Sequence, residues 1–250
     1  MDEHAEIARW AASFGVATAV HPNDHIWNFV LHHPGFASPA AAIEYYFTDG
    51  AKSARHFREL AGECPTVLEF AAGYGCVTRH LALAPGLQVT ACDIHREAVG
   101  FLRDEIGVRA IVSDPCPEMF APAGEYDAVL ALSFLSHMPL STWARWLVCL
   151  TRPLVIDGRL VFTTHGLSSR VHFGDPELPE SGFWFRPSSE QSDLPGSEYG
   201  QTITTPEFVR AVIATLPWMR LDACHAADWW GHQDTWVLRK RWQAPGRLPT

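Results

Sequence analysis

Three carboxylates, two glycines and two histidines are the residues of this chain whose types and spacing could act together. The glycines stand in Val67-Leu-Glu-Phe-Ala-Ala-Gly-Tyr-Gly-Cys-Val-Thr78, which reads as an apolar strand, a tight turn and the start of a helix. A strand that ends in glycines before a helix exposes unpaired backbone N–H groups and lets a ligand approach the main chain closely. Nucleotide-type cofactors use such a turn together with an acid at the end of the next strand, and Asp93 occupies that place, eighteen residues beyond Gly75. Glu69 precedes the turn and Asp114 follows a third apolar run. His137, in Leu135-Ser-His-Met-Pro139, and His165, in Thr163-Thr-His-Gly166, are the candidate proton acceptors. A free imidazole has a pKa near ~6.5, which suits abstraction from a hydroxyl or an ammonium at neutral pH. The plainer reading of either is a hydrogen-bonded loop histidine.

The spacing argues against a dinucleotide. A pyrophosphate on a helix N-terminus wants GxGxxG, and here the third glycine is Thr78. A Tyr-xxx-Lys pair is also absent, since Asp49, Gly50, Thr78, Leu130 and Ile203 stand four residues after the five tyrosines. Only Lys52 and Lys240 occur and neither follows a glycine, which removes a GxxxxGK phosphate loop.

These residues need a scaffold, and the pattern supplies one. Residues 5–20 and 26–31 carry apolar residues at helical spacing, and 39–60 reads as one or two helices around Gly50. From Thr66 onward strands are expected at 67–70, 88–92, 108–112, 126–132 and 159–164, separated by helices at 76–84, 95–106 and 140–150. Such βαβα alternation predicts an α/β, doubly wound, mostly parallel sheet whose ligand loops follow the carboxyl ends of the strands. A helix from Thr205 and a closing antiparallel pair at 219–224 and 235–238 complete seven strands. The expected organisation is a helical N-terminal extension over 1–62, then one catalytic domain over 63–250, with 167–203 inserted after strand five as a substrate lid.

Composition bounds the partners. Net charge is −9 with one dense basic cluster, Arg239-Lys-Arg241, so a nucleic-acid surface is not expected. The longest apolar run, around 128–135, is far shorter than the ~18 residues of a membrane span, and the start Met1-Asp-Glu-His has no secretory pattern. A cytoplasmic location and no membrane partner are the expectation. The six cysteines form no CxxC pair and read as free thiols, and no His/Cys spacing suits a metal.

As a set, Glu69, Ala71, Gly73, Gly75, Asp93 and Asp114 resemble the motifs of class I S-adenosylmethionine-dependent methyltransferases, over about 66 to 166. The resemblance implies a Rossmann-like methyltransferase fold with S-adenosyl-L-methionine as cofactor and S-adenosyl-L-homocysteine as product. It places Asp93, with Ile94 beside it, on the ribose hydroxyls, Asp114 and Pro115 at the adenine, and Ser133 and Phe134 along the methionine portion. Tyr46 and Gly50 match pre-strand residues that close over the methionine end. The first turn glycine of the family is Ala71 here, so the turn is ordinary if that residue is extended and strained if its φ is positive.

The acceptor is narrowed by what is missing. The loop after strand four reads Ser-Phe-Leu-Ser rather than Pro-Pro-Tyr, and Pro115-Cys116 follows strand three, where a cytosine-methylating nucleophile would be misplaced. A small molecule remains, with O-methylation of a sugar or natural-product intermediate as the primary reading and His137 and His165 as its catalytic residues. N-methylation of a small molecule and a non-catalytic S-adenosylmethionine-binding protein are the alternatives. The aromatics Phe183, Trp184, Phe185, Trp229 and Trp230 are candidates for an acceptor wall, and a homodimer is an open option.

Overall fold

The computed structural model describes residues 2–191 and 193–243, which fall into two compact units dividing after Asp114. Met1, Ser192 inside the expected insert, and the last seven positions of the expected catalytic domain lie outside the described residues.

The first unit begins with three helices. α1 (Glu3–Phe14) is capped by the Asp2 carboxylate on the His4 N–H and is stopped by Gly15, whose φ of 69° lets its N–H turn back to the Ala11 and Ala12 carbonyls. It therefore ends earlier than the apolar spacing to residue 20 predicts. Residues 16–24 then run without regular structure to Asp24, the cap of α2 (His25–His32). α3 (Pro39–Ala61) is one continuous helix through Gly50, with Ser38 as cap and proline in its first turn. The three bury Ala11, Val16, Trp27, Ile43, Tyr46 and Phe47 in one cluster.

The strands of this unit are β1 (Thr66–Phe70), β2 (Gln88–Asp93) and β3 (Arg109–Val112), in the order β3-β2-β1 and all parallel. Phe70 lies opposite Cys92, and Asp93 opposite Val112, so all three strands end on one side. β1 is buried from Val67 to Phe70, as a parallel strand covered on both faces must be. The helix after β1, α4 (Thr78–Leu81), is a single turn instead of the nine residues predicted, while α5 (Arg96–Asp104) matches its predicted position.

In the second unit β4 (Tyr126–Ala131) pairs in parallel with β5 (Leu154–His165), and α6 (Leu140–Thr151) connects them. β5 starts five residues earlier than predicted, because Asp157 at φ 66° and Gly158 shift its register without ending the strand. The expected lid segment is structured: a 3₁₀ stretch at Leu167–Phe173 precedes β6 (Phe183–Arg186), which pairs antiparallel with β7 (Gln201–Thr204). β7 in turn meets β5, His165 opposite Ile203. α7 (Pro206–Ala214) leads to β8 (Met219–Trp229) and β9 (Gln233–Lys240), the predicted antiparallel pair, with β9 alongside β5. The described residues thus hold nine strands; β6 and β7 from the insert are the two beyond the seven expected. No helix among them is long and apolar enough to cross a membrane.

Candidate active site

In the first unit the turn after β1 is left-handed at three positions, Ala71 (φ 57°), Gly73 (φ 55°) and Gly75 (φ 83°). Ala71 is thus on the strained branch of the expectation, with its methyl group exposed. Around Gly73 a side chain would meet open space, whereas at Gly75 a Cβ would stand 2.9 Å from Leu102 of α5. The first glycine therefore leaves room for a ligand, and the second lets turn and helix pack.

Asp93 closes the turn from the end of β2. One of its oxygens accepts from the Gly73 N–H at 2.8 Å, the other from the N–H and Nδ1–H of His95, each at 2.9 Å. Ile94 and Asp114 are half-buried nearby in sequence, Pro115 is exposed, and the Ser113 N–H donates to the Asp93 carbonyl at 2.9 Å, which brings the loop after β3 to the end of β2. Glu69 is only 4% exposed, and its Oε2 has no hydrogen-bond partner among the described residues. Burial pushes its carboxyl up to about 7, reinforced by the charge of Asp93.

Tyr46 and Gly50 stand behind this turn. The Tyr46 hydroxyl donates to the buried Asp24 carboxylate at 2.7 Å and accepts from Arg79 at 3.4 Å, so it is held within the core. A Cβ on Gly50 would overlap the Cys76 carbonyl oxygen, which makes Gly50 the point where α3 meets the chain leaving the turn.

The second unit carries the histidines. His137 donates its Nδ1–H to the Gly200 carbonyl at 2.8 Å, and His165 donates to the Thr202 carbonyl at 3.2 Å. A carbonyl can only accept, so both rings are Nδ1–H tautomers with the lone pair on Nε2. The inserted strand is what sets them: Gly200 N–H returns a bond to the His137 carbonyl, Thr202 N–H reaches the Ser136 carbonyl, and Tyr199 stacks on His137 at 4.4 Å. The rings of His137 and His165 lie 5.9 Å apart, His232 lies 5.9 Å beyond His165, and His172 stands 4.7 Å from His232. Burial lowers the pKa of His137. Burial and the neighbouring imidazoles push His165 down to about 3. The free value near ~6.5 assumed from sequence therefore does not apply to His165, whose conjugate acid is too strong to form at neutral pH.

Ser133 follows β4 at φ 52°, a conformation a serine holds only with help. Its N–H donates to Thr163 Oγ1 at 2.8 Å, Thr163 donates to Gln233 Oε1 at 2.6 Å, and Gln233 Nε2 donates back to Ser133 Oγ at 2.9 Å. Phe134 packs edge-on against Trp146 at 5.2 Å. The aromatic candidates separate: Phe183 and Trp229 are buried, Trp184 and Phe185 are half-buried, and Trp230 is 38% exposed. All six cysteines are free thiols.

Asp24, Arg79, Gln233 and the carbonyls of Gly200 and Thr202 were invisible to spacing, because each acts on a residue 22 to 100 positions away. The turn's own acids were legible because they end adjacent strands.

Residues 68–160 match the family model described as a methyltransferase domain. Over these residues the chain carries a methyltransferase domain. No curated protein matches the sequence. Solved structures share the fold at low identity. The N-terminal domain of EvdMO1 with SAH bound is 18% identical, covers 98% of both chains and superposes at a TM-score of 0.54. The N-methyltransferase NodS from Bradyrhizobium japonicum, in complex with S-adenosyl-l-homocysteine, is 12% identical over 96% of this chain and 99% of its own, also at 0.54. CalS10, an amino pentose methyltransferase from Micromonospora echinaspora, is 15% identical over 78% and 91%, at 0.53. The expected doubly wound, Rossmann-like methyltransferase fold is the one observed.

The chemistry of the first turn fits the cofactor of this class, S-adenosylmethionine. Residues 69–75, 93–95 and 113–115 hold three acids and no lysine or arginine, a field that repels a pyrophosphate and suits a sulfonium and an ammonium. The orphaned Glu69 oxygen suits a donor group, and the open space at Gly73 suits a close approach to the main chain.

Proposed function

We propose that this methyltransferase transfers the methyl group of S-adenosylmethionine to a hydroxyl of a small molecule, with a sugar or natural-product intermediate as the acceptor class. The observation that carries the reading is His137, buried, with Nδ1–H engaged by the Gly200 carbonyl and its Nε2 lone pair left to take a proton. S-adenosylmethionine supplies the electrophilic methyl carbon, and in such a displacement alignment and desolvation can contribute up to ~7–11 kcal/mol.

In this reading Asp93 holds the ribose hydroxyls and Asp114 the adenine, with Ile94 and Pro115 beside them. Glu69, Ala71, Gly73 and Gly75 form the turn around the methionine end. Tyr46 and Gly50 shape that turn from behind, since the Tyr46 hydroxyl is already bound by Asp24. His137 is the general base. His165, neutral throughout the working pH range, offers a hydrogen-bond acceptor to a second donor on the acceptor molecule. The insert 167–203, whose backbone holds both histidines, covers the acceptor. Support for a glycan-type acceptor comes from the similar EvdMO1 domain solved in the presence of SAH and D-fucose, and from CalS10.

N-methylation is the second reading, favoured by the likeness to NodS and to the glycopeptide N-methyltransferase MtfA. Calorimetry with S-adenosylhomocysteine and NADH, followed by methyl transfer to a panel of sugars and aminosugars, tests the proposal. Binding of NADH but not of S-adenosylhomocysteine would overturn it. Transfer to amines alone would select the second reading.

A further inference from the structure

We propose that residues 16–24 act as a strap that holds the glycine turn in its cofactor-binding geometry, and that Arg79 is the positioning residue that fastens it. This rests on the reading of that turn as the S-adenosylmethionine cradle.

The turn cannot hold its own shape cheaply, because three of its five residues from 71 to 75 are left-handed and one of them is an alanine. The strap meets it at two points. Arg79, 2% exposed, donates through Nε to the Gly75 carbonyl at 3.1 Å and through Nη1 to the Ala17 and Ala19 carbonyls at 2.9 and 3.1 Å. One planar guanidinium thus ties the last residue of the turn to two strap carbonyls, a geometry that a lysine ammonium cannot reproduce. The middle of the turn is gripped separately: the His21 ring stacks on Tyr74 at 4.5 Å and 14°. The Tyr74 hydroxyl and the Asn23 amide both donate to Glu97 Oε2, at 3.2 and 2.8 Å.

The charge of Arg79 also has a partner on the strap. Asp24, buried at the strap's end, accepts from the Tyr46 hydroxyl, which accepts from Arg79 Nη2, while the guanidinium lies over the Tyr46 and Phe47 rings at 5.4 and 5.5 Å. A buried cation and a buried anion therefore offset each other across one hydroxyl, and the three sit on the strap, on α3 and directly after the turn. Strap and turn form one hydrogen-bonded body. Arg79 acts on the cofactor through Gly75, not by touching it.

The test uses the full chain with S-adenosylhomocysteine as the probe. Affinity is measured by calorimetry and melting temperature by scanning fluorimetry. Arg79→Met, which keeps the apolar stem, should weaken the probe tenfold or more, and Arg79→Lys should recover only part of that loss. His21→Ala removes a half-buried stacking contact with little effect on folding. The stack is worth ~0.5–1.5 kcal/mol, so the probe should weaken roughly 2- to 10-fold while the melting temperature falls by only about 1–6 °C. Lower melting temperatures with unchanged affinity would reduce the strap to ordinary packing and overturn the proposal. If Arg79→Met does not fold, His21→Ala and Arg79→Lys decide it. If the wild type does not bind the probe at all, the cofactor reading fails and hydrogen exchange judges the strap alone. Amides 72–76 must then exchange faster in His21→Ala than in the wild type, and equal rates would overturn the strap as well.

Discussion

Replacing Ala71 by glycine should stabilise this protein, which reverses the usual sign of an alanine-to-glycine change. Ala71 sits at φ 57°, where a side-chain-bearing residue is disfavoured by ~1–2 kcal/mol. Its methyl group is exposed, so its removal forfeits no core contact. Against that relief stands the greater freedom of glycine in the unfolded chain, ~0.5–1 kcal/mol. The net expectation is a gain of about 0.5–1 kcal/mol, or roughly 1–4 °C in melting temperature for a chain of this size. Ala72 is the control: it is not among the left-handed residues, so Ala72→Gly should lose ~0.5–1 kcal/mol. Scanning fluorimetry on both variants, with calorimetry of S-adenosylhomocysteine to show that the turn still binds within about twofold, completes the assay. If Ala71→Gly melts lower than the wild type, or moves in parallel with Ala72→Gly, the left-handed conformation at position 71 is refuted.

Further outcomes follow from burial and close approach. The Glu69 carboxyl is raised to about 7 in the folded chain, above its unfolded value of 4.5, so between those limits the unfolded state gives up its proton first. Stability should therefore fall as pH rises from 4.5 to 7, by at most roughly 3 kcal/mol, and Glu69→Gln should remove that slope in pH-dependent melting. For His165 the sign is opposite: with its folded pKa lowered to about 3, stability should fall as pH drops below 6.5, and His165→Asn should flatten this acid limb in the same melts. Gly50→Ala ought to help a helix by ~1 kcal/mol on propensity alone, but the overlap with the Cys76 carbonyl should make it destabilising by ~1–3 kcal/mol, read by urea unfolding. In the methyl-transfer assay His137→Ala should lower kcat by ~10²–10⁴-fold with S-adenosylhomocysteine affinity unchanged, and full activity would remove it as the base.

The parts of the fold legible in advance were those that repeat a local pattern. The strands around Leu68, Val89 and Val129 showed as apolar runs ended by an acid or a polar turn, and the acids Glu69 and Asp93 were found because a strand's end is a local event. What misled was length. The spacing of Ala17 and Thr18 continues the face of α1, yet Gly15 ends that helix and frees the same residues to become a strap. Strands β6 and β7 were missed because four-residue strands amid proline, serine and glycine carry little periodicity, and they form only by pairing with each other and with β5.

Sequence by itself determined the cofactor class and the order of the elements, since three acids, two glycines and a missing third glycine are properties of type and spacing. Tertiary structure alone decided how those residues behave. It placed Ala71 in the left-handed region, held the Tyr46 hydroxyl on Asp24, lowered the pKa of His165 through burial, and gave Arg79 its hold on the Ala17 and Ala19 carbonyls. The physical reason is that a backbone pattern repeats over a few residues. Desolvation and hydrogen-bond partnership depend instead on groups that arrive from tens of residues away only when the core closes.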